Sequence, residues 1–369
     1  MSRPRTMRTA RMWRAAVAAG ACVTGAAAAQ NAPPGPSVAG QAQPARTLPV
    51  PAKDPRDFRV SVLGCLRQNK PAPGLARYVE HRPDLALWVG DNIYADAKDD
   101  PGIIQRCYDQ LGANPDFQRL RAIAPAMVTW DDHDYGDNNE TKHYTLKNES
   151  REMFVRFWGL EKEIPSTQTG IWWSRVIETS GKRLQVILLD CRWHRDEPGP
   201  SADMLGEAQW AWLGERLAEP ADLRLLVTGS QVLLPKEAGS ETWDEYPAAR
   251  DRLFALVREK RAQRVLLVTG DQHYAEVCRR RGSFGYDAIE LQFAGINQTE
   301  KPEFNPFRVS PCATALHSDA MIDIRWDADD YEPAHVLFRV FNSSTGQVEI
   351  AYRVNFSEIE AGSAASGGK

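Results

Sequence analysis

The stretch Leu85-Ala86-Leu87-Trp88-Val89-Gly90-Asp91-Asn92-Ile93-Tyr94 sets a continuous apolar run against a glycine, a carboxylate, an amide and a phenol. A run without polar alternation suits a strand covered on both faces. The glycine lets the backbone turn sharply and present Asp91 at the edge of a sheet. An apolar run ending in glycine recurs at 58–64 before Cys65 and at 264–270 before Asp271-Gln272-His273, and one without glycine at 126–130 before Asp131-Asp132-His133-Asp134. It recurs again at 223–229 before Ser230-Gln231, and 183–190 is a sixth strand, ahead of Cys191-Arg192. Helical patterns near 75–81, 102–111, 150–158, 207–217 and 248–260 separate these strands, so the class is α/β. Alternating segments at 336–341 and 347–354, joined by Asn342-Ser343-Ser344-Thr345-Gly346, predict a hairpin. Strands at 288–293 and 321–326 are expected to join it in a second sheet.

The carboxyl ends of parallel strands share one edge, where ligands bind. Segments far apart in the chain therefore converge there with a thiol, several carboxylates, a phenol, two imidazoles and an amide. That much anionic character in one pocket forces protonation or repulsion unless cations neutralise it. Asp and Asn oxygens suit a hard ion, whereas thiolate with imidazole suits a transition metal. The pattern is that of two unlike ions sharing one carboxylate.

Taken in order, Gly64-Cys65, Gly90-Asp91-Asn92-Ile93-Tyr94, Asp131-Asp132-His133-Asp134 with Asn138, and Gly270-Asp271-Gln272-His273 resemble the alkaline phosphatase D (PhoD-like) family. That family belongs to the calcineurin-like metallophosphoesterases, and the resemblance spans about 58–355. It implies a four-layer αββα sandwich of two mixed β-sheets flanked by helices. It also implies that Cys65, Asp91, Tyr94 and His273 hold Fe(3+). Asp91 is then shared with Ca(2+), which Asn138 and Asp271 complete, with Asp132 where related enzymes keep a metal-binding Asn. His133 matches the catalytic histidine. The motif after His133 is one residue longer than the usual form, so Asn139 competes with Asn138. The usual members carry an N-terminal β-domain, whereas here the tether is expected to run straight into the first strand.

The activity implied is hydrolysis of phosphate mono- or diesters, with small phosphate esters as substrates. Bound metal ions would supply the hydroxide nucleophile; His133 is expected to protonate the leaving oxygen and Arg192 to grip a phosphoryl oxygen with its fork of donors. Two other readings stand beside it, a non-catalytic secreted Ca(2+)/phosphate-binding protein and an iron redox enzyme. Each residue also has a structural alternative. Cys65 could be core, Tyr94 could cap the core with its ring, and Arg192 and Arg195 could pair with Asp190 or Asp196. Asp131, Asp134 and Asp137 read as turn residues or as partners of the ligands, and Gln231 as a loop amide or a metal contact.

Composition narrows the classes further. A net charge of −4 leaves no nucleic-acid footprint, and six cysteines in 369 residues are too few for a disulfide scaffold. Arg3, Arg5, Arg8, Arg11 and Arg14 precede an Ala-rich run, which reads as a signal peptide over 1–30. Residues 31–57 read as an extended Pro/Ala-rich tether, 58–356 as a single domain and 357–369 as a disordered tail. The mature chain is expected to lack a transmembrane segment and to be exported, to the periplasm or the medium.

Overall fold

The computed structural model describes residues 48–362 apart from Ala294. The expected signal peptide, the tether up to 47 and residues 363–369 lie outside the described residues. The chain opens with β1 (Asp57–Leu63), α1 (Pro73–His81), β2 (Leu85–Val89), α2 (Gly102–Ala113), α3 (Pro115–Ile123) and β3 (Ala126–Thr129). The short α4 (Asp132–Tyr135), α5 (Lys147–Trp158), β4 (Trp173–Thr179), β5 (Lys182–Leu188), α6 (Gly206–Ala218) and β6 (Leu223–Thr228) follow. Then come α7 (Pro247–Glu259), β7 (Val265–Thr269), β8 (Glu276–Arg280) and β9 (Ala288–Gln292). The chain closes with β10 (Ser318–Arg325), β11 (His335–Asn342) and β12 (Val348–Asn355).

Two mixed six-stranded sheets result, ordered β12-β11-β10-β1-β2-β3 and β4-β5-β6-β7-β9-β8. In each, the strands whose ends carry the unusual residues run parallel: β1, β2 and β3 in one sheet, β5, β6 and β7 in the other. Helices α1, α2, α3 and α5 pack among themselves, and α6 packs on α7. The two sheets meet directly where Thr129 Oγ1 donates to the Leu189 carbonyl (2.7 Å) and Trp173 Nε1 to that of Val128 (3.0 Å). Burial follows the periodicity. β2 and β7 are buried at every position, and α6 turns Trp210, Leu213 and Leu217 inward.

The expected second sheet needs correction. The hairpin and β10 extend the sheet of β1, while β9 joins β7 in the other sheet. The reason is ionic as well as apolar. Arg59 on β1 lies directly opposite Asp323 on β10, and its Nε donates to Asp323 Oδ1 at 2.7 Å with both side chains buried. Arg77 and His81 of α1 both bond Asp319 of β10, at 2.8 and 2.7 Å. Unpairing any of these groups would leave a buried charge uncompensated, so the pairs select this register.

The outermost described residues are held to the fold. Residues 48–57 dock on this sheet: Leu48 bonds Thr345, Lys53 bonds Asp84, and Arg325 bonds Asp54. Beyond 356, where a disordered tail was expected, Phe356–Glu358 forms a 3-10 turn, Ile359 is fully buried, and Arg264 Nε donates to Glu360. The apolar pair Phe356 and Ile359 anchors this segment. Among the described residues no helix is long and apolar enough to cross a membrane.

His81 supplies a test of this packing. Burial holds its pKa below the ordinary value; the Asp319 bond opposes the shift, while Arg77 and Arg59 reinforce it. Its Nδ1 is buried without a partner, so protonation would create an unmet donor. A depressed pKa means stability that is complete above about 6.5 and lost as pH falls. Wild-type protein should therefore lose melting temperature from pH 7 to pH 5 more steeply than His81→Gln. The difference is at most about 1.4 kcal/mol per pH unit for one proton. Parallel melting curves would remove His81 from the account.

Candidate metal centre

Four of the chemistry-bearing side chains stand on strained backbone at strand ends. Cys65 (φ 48°), Asp91 (φ 52°), Asp271 (φ 76°) and His273 (φ 55°) all occupy the left-handed region. Non-glycine residues there cost about 1–3 kcal/mol each, and such strain gathers where function demands a particular aim. Two glycines make room. Gly90 has φ 113° and a Cβ there would lie 2.8 Å from Asp131 Cβ; one on Gly229 would lie 2.4 Å from Asp131 Cγ. Asp134, buried, pins the first turn by accepting the backbone N–H groups of Asn92 and Ile93 at 3.0 and 3.2 Å.

The ligand atoms of Cys65, Asp91 and His273 lie within 4.8 Å of one another, as do those of Asp91, Asp132 and His133, and those of Asp131, Asp132 and Asp271. Asp91 belongs to the first two groups and Asp132 to the last two. Tyr94 joins the first: its hydroxyl donates to Asp91 Oδ2 (3.0 Å) and lies 2.7 Å from His273 Nε2. Cys65 Sγ is 3.5 Å from Asp91 Oδ2. Asn138 and Asn139 are both exposed and line a cavity of about 370 Å³ together with Asp271, His273, Glu241 and Lys301. The backbone N–H of Asn139, not its side chain, reaches Asp132 Oδ2 (2.8 Å).

This set is short of positive charge. Burial first, then the neighbouring carboxylates, push Asp91 and Asp271 well above the usual carboxylate range. Burial likewise raises the Cys65 thiol and the Tyr94 phenol, each further raised by Asp91. Burial would raise Asp132 too, yet Arg192 and His133 hold it down to about 2. Asp91 Oδ1 and Asp131 Oδ2 are buried without a partner. A buried carboxylate oxygen with nothing to accept from is what a bound cation would satisfy, and the donor types fit: sulfur, phenol and imidazole at one end, carboxylates at the other.

Arg192 departs from its expected place. Its side chain is 0% exposed, its Nε donates to Asp131 Oδ1, and its Nη1 lies 2.8 Å from Glu241 Oε1. A guanidinium enclosed by carboxylates serves as their counter-charge, and its Nη1 and Nη2 have no hydrogen-bond partner. Arg195 shares Glu241 with it. Gln231 also turns away, its amide donating to Glu276 at 2.8 Å. His133 keeps a different company: its Nδ1 bonds Asp96 Oδ1, and its ring lies 4.2 Å from that of Tyr94.

Three participants escaped sequence reasoning. Asp96 follows Tyr94 by two residues and could have been sought as a partner for His133. Glu241 sits on the loop before α7 with no motif to mark it. Arg67 places its guanidinium carbon 4.3 Å from the centroid of the Tyr94 ring, two residues after Cys65. His273 is lowered to about 4 by burial and His133 first, with Arg67 contributing.

Two mixed sheets that bring such donors to their shared edge define the metallophosphatase type of α/β fold. Within that class the chain belongs to the PhoD-like phosphatase family, whose model matches residues 68–303. It is 24% identical over 197 residues to alkaline phosphatase D of Bacillus subtilis (strain 168), which is 44% of this chain and 33% of that protein. The match thus spans about one third of the relative's length. Among solved structures it is similar to PhoD (TM-score 0.61, 15% identity, 86% of this chain and 72% of that one). It is also similar to GAP50, described as the anchor in the inner membrane complex of Plasmodium (TM-score 0.54, 14% identity, 83% and 90%). At these identities the likenesses speak for the fold alone.

Proposed function

We propose that the protein is an exported, metal-dependent phosphoesterase acting on small phosphate mono- or diesters. The observation that carries this reading is the buried, charge-deficient cluster of Cys65, Asp91, Tyr94 and His273, which shares Asp91 with a second group. Fe(3+) suits Cys65, Asp91, Tyr94 and His273. Ca(2+) suits the oxygen donors Asp91, Asp271, Asp132 and Asn138. When bound, two such ions supply a nucleophile near neutral pH and neutralise the phosphoryl oxygens.

The protein's own groups do the rest. Arg192, locked by Asp131 and Glu241, balances the carboxylates and keeps their oxygens in place. His133, held through Nδ1 by Asp96, is the proton donor to the leaving oxygen. The cavity beside Asp271 and His273 takes the leaving group. Export rests on the Arg-rich, Ala-rich residues 1–30 and is checked by recovering protein without them from outside the cell.

The deciding assay is hydrolysis of p-nitrophenyl phosphate and bis-p-nitrophenyl phosphate, with and without EDTA, alongside elemental analysis. Colour release suppressed by chelator, with two ions per chain, is expected. Full metal content with no release on either ester would select the non-catalytic binding protein instead.

A further inference from the structure

We propose that Arg67 is the substrate-binding cation of this site, and that it contacts the extra anionic oxygen that distinguishes a phosphate monoester from a diester. The inference rests on the hydrolase reading above and adds a substrate class to it.

The argument begins with what Arg67 lacks. Among the described residues its guanidinium makes no hydrogen bond and no ion pair, and its Nε is buried without a partner. The half-buried side chain lays its guanidinium on the face of Tyr94, 4.3 Å away. A cation–π contact returns less than an unmet, partly buried charged donor costs, so stability does not account for the arrangement. The other arginines close to the cluster stand at ion-pair distance from carboxylates, Arg192 from Asp131 and Glu241 and Arg195 from Glu241, with Tyr246 also accepting from Arg195; Arg67 has no such carboxylate among the described residues.

Nor is Arg67 a loose surface charge. Its backbone N–H donates to Asn297 Oδ1 (2.8 Å), and its carbonyl accepts from Asn297 Nδ2 (2.9 Å). The next residue, Gln68, bonds both the N–H and the carbonyl of Tyr94, at 2.9 and 3.3 Å. The loop that carries Cys65 therefore holds Arg67 in a fixed relation to Tyr94, whose hydroxyl touches Asp91 and His273. Lys70 and Lys301, the nearby ammonium groups, are exposed.

Charge and valence give the substrate class. A phosphomonoester at neutral pH presents one more non-bridging oxygen and about one more negative charge than a diester. Recognition of that oxygen needs a permanent cation that is pinned, uncommitted and outside the carboxylate group. Arg67 meets all of these conditions, and its planar fork suits a phosphoryl group.

The test compares wild type with Arg67→Met and Arg67→Lys, metal-loaded, on p-nitrophenyl phosphate and bis-p-nitrophenyl phosphate. Arg67→Met is expected to lower kcat/KM for the monoester about 10- to 100-fold while changing the diester by less than about threefold. Arg67→Lys is expected to recover part of the monoester rate, and calorimetry should show weaker inorganic phosphate binding to Arg67→Met. A parallel fall on both esters, or no change on either, overturns the proposal, since loss of Tyr94 packing alone moves both together. If wild type hydrolyses neither ester, it is the hydrolase reading that fails. The calorimetric comparison then still decides Arg67, with unchanged phosphate affinity counting against it.

Discussion

Asp91→Asn is expected to lower ester hydrolysis by about 10³-fold or more and, in the same protein, to raise the melting temperature measured in EDTA. The first effect follows from position. Asp91 is common to the group with Cys65 and His273 and the group with Asp132 and His133, and Tyr94 bonds it as well. Removing its charge weakens both candidate ion sites at once, and nucleophile activation and charge neutralisation both depend on them. The second effect follows from burial. Asp91 is fully buried, one of its oxygens has no partner, and Asp131, Asp132 and Asp134 surround it. Without cations its charge is a liability that the amide removes, and sites of this kind commonly trade stability for function. Kinetics, metal content and melting curves of the two proteins check all of this. A variant that keeps both ions, or that melts lower than wild type in EDTA, would show that Asp91 does not occupy the centre of the cluster.

His133→Asn is expected to lower kcat by about 10²–10⁴-fold with both ions retained, the range of a lost general acid. His133 lies beside Asp91 and Asp132, where a proton donor could reach the leaving oxygen. One ring nitrogen is committed to Asp96, and the ring packs on Tyr94, which orients it toward the cluster without enclosing it. Asp96→Asn should give a smaller loss, because it acts through the ring, and it should move the alkaline limb of the pH–rate profile to lower pH, since the Asp96 bond helps raise the His133 pKa. Loss of an ion in His133→Asn would instead make His133 a ligand alongside Asp91 and Asp132. Elemental analysis next to the rate measurement separates the two outcomes.

Much of the site was legible because its signals are local. An apolar run, a glycine and a carboxylate within ten residues, as at 85–94, announce a buried strand and its sharply turned exit. The strands at 57–63, 85–89, 126–129 and 265–269 lie where the pattern put them. Cys65, Asp91 and His273 do come together, with Tyr94 against them. The surroundings of Arg192 were not legible, because a lone arginine after a strand carries no sign of what encloses it. Its carboxylate Glu241 arrives from a loop almost fifty residues later. The tail hairpin was recognised as a hairpin yet assigned to the wrong sheet, because alternation tells which side chains face inward and not which edge a strand adopts.

On its own, then, the order of residues determined the α/β class and the convergence of thiol, phenol, imidazole and carboxylates on one edge. Periodicity and turn chemistry act within a few residues and so can be read along the chain. Only the tertiary structure decided that β10 pairs with β1, that Arg192 is buried among the acids, and that the Arg67 Nε is left without a partner. Each of these depends on charges brought together across dozens to hundreds of residues, where desolvation and pairing, not local pattern, choose the partner.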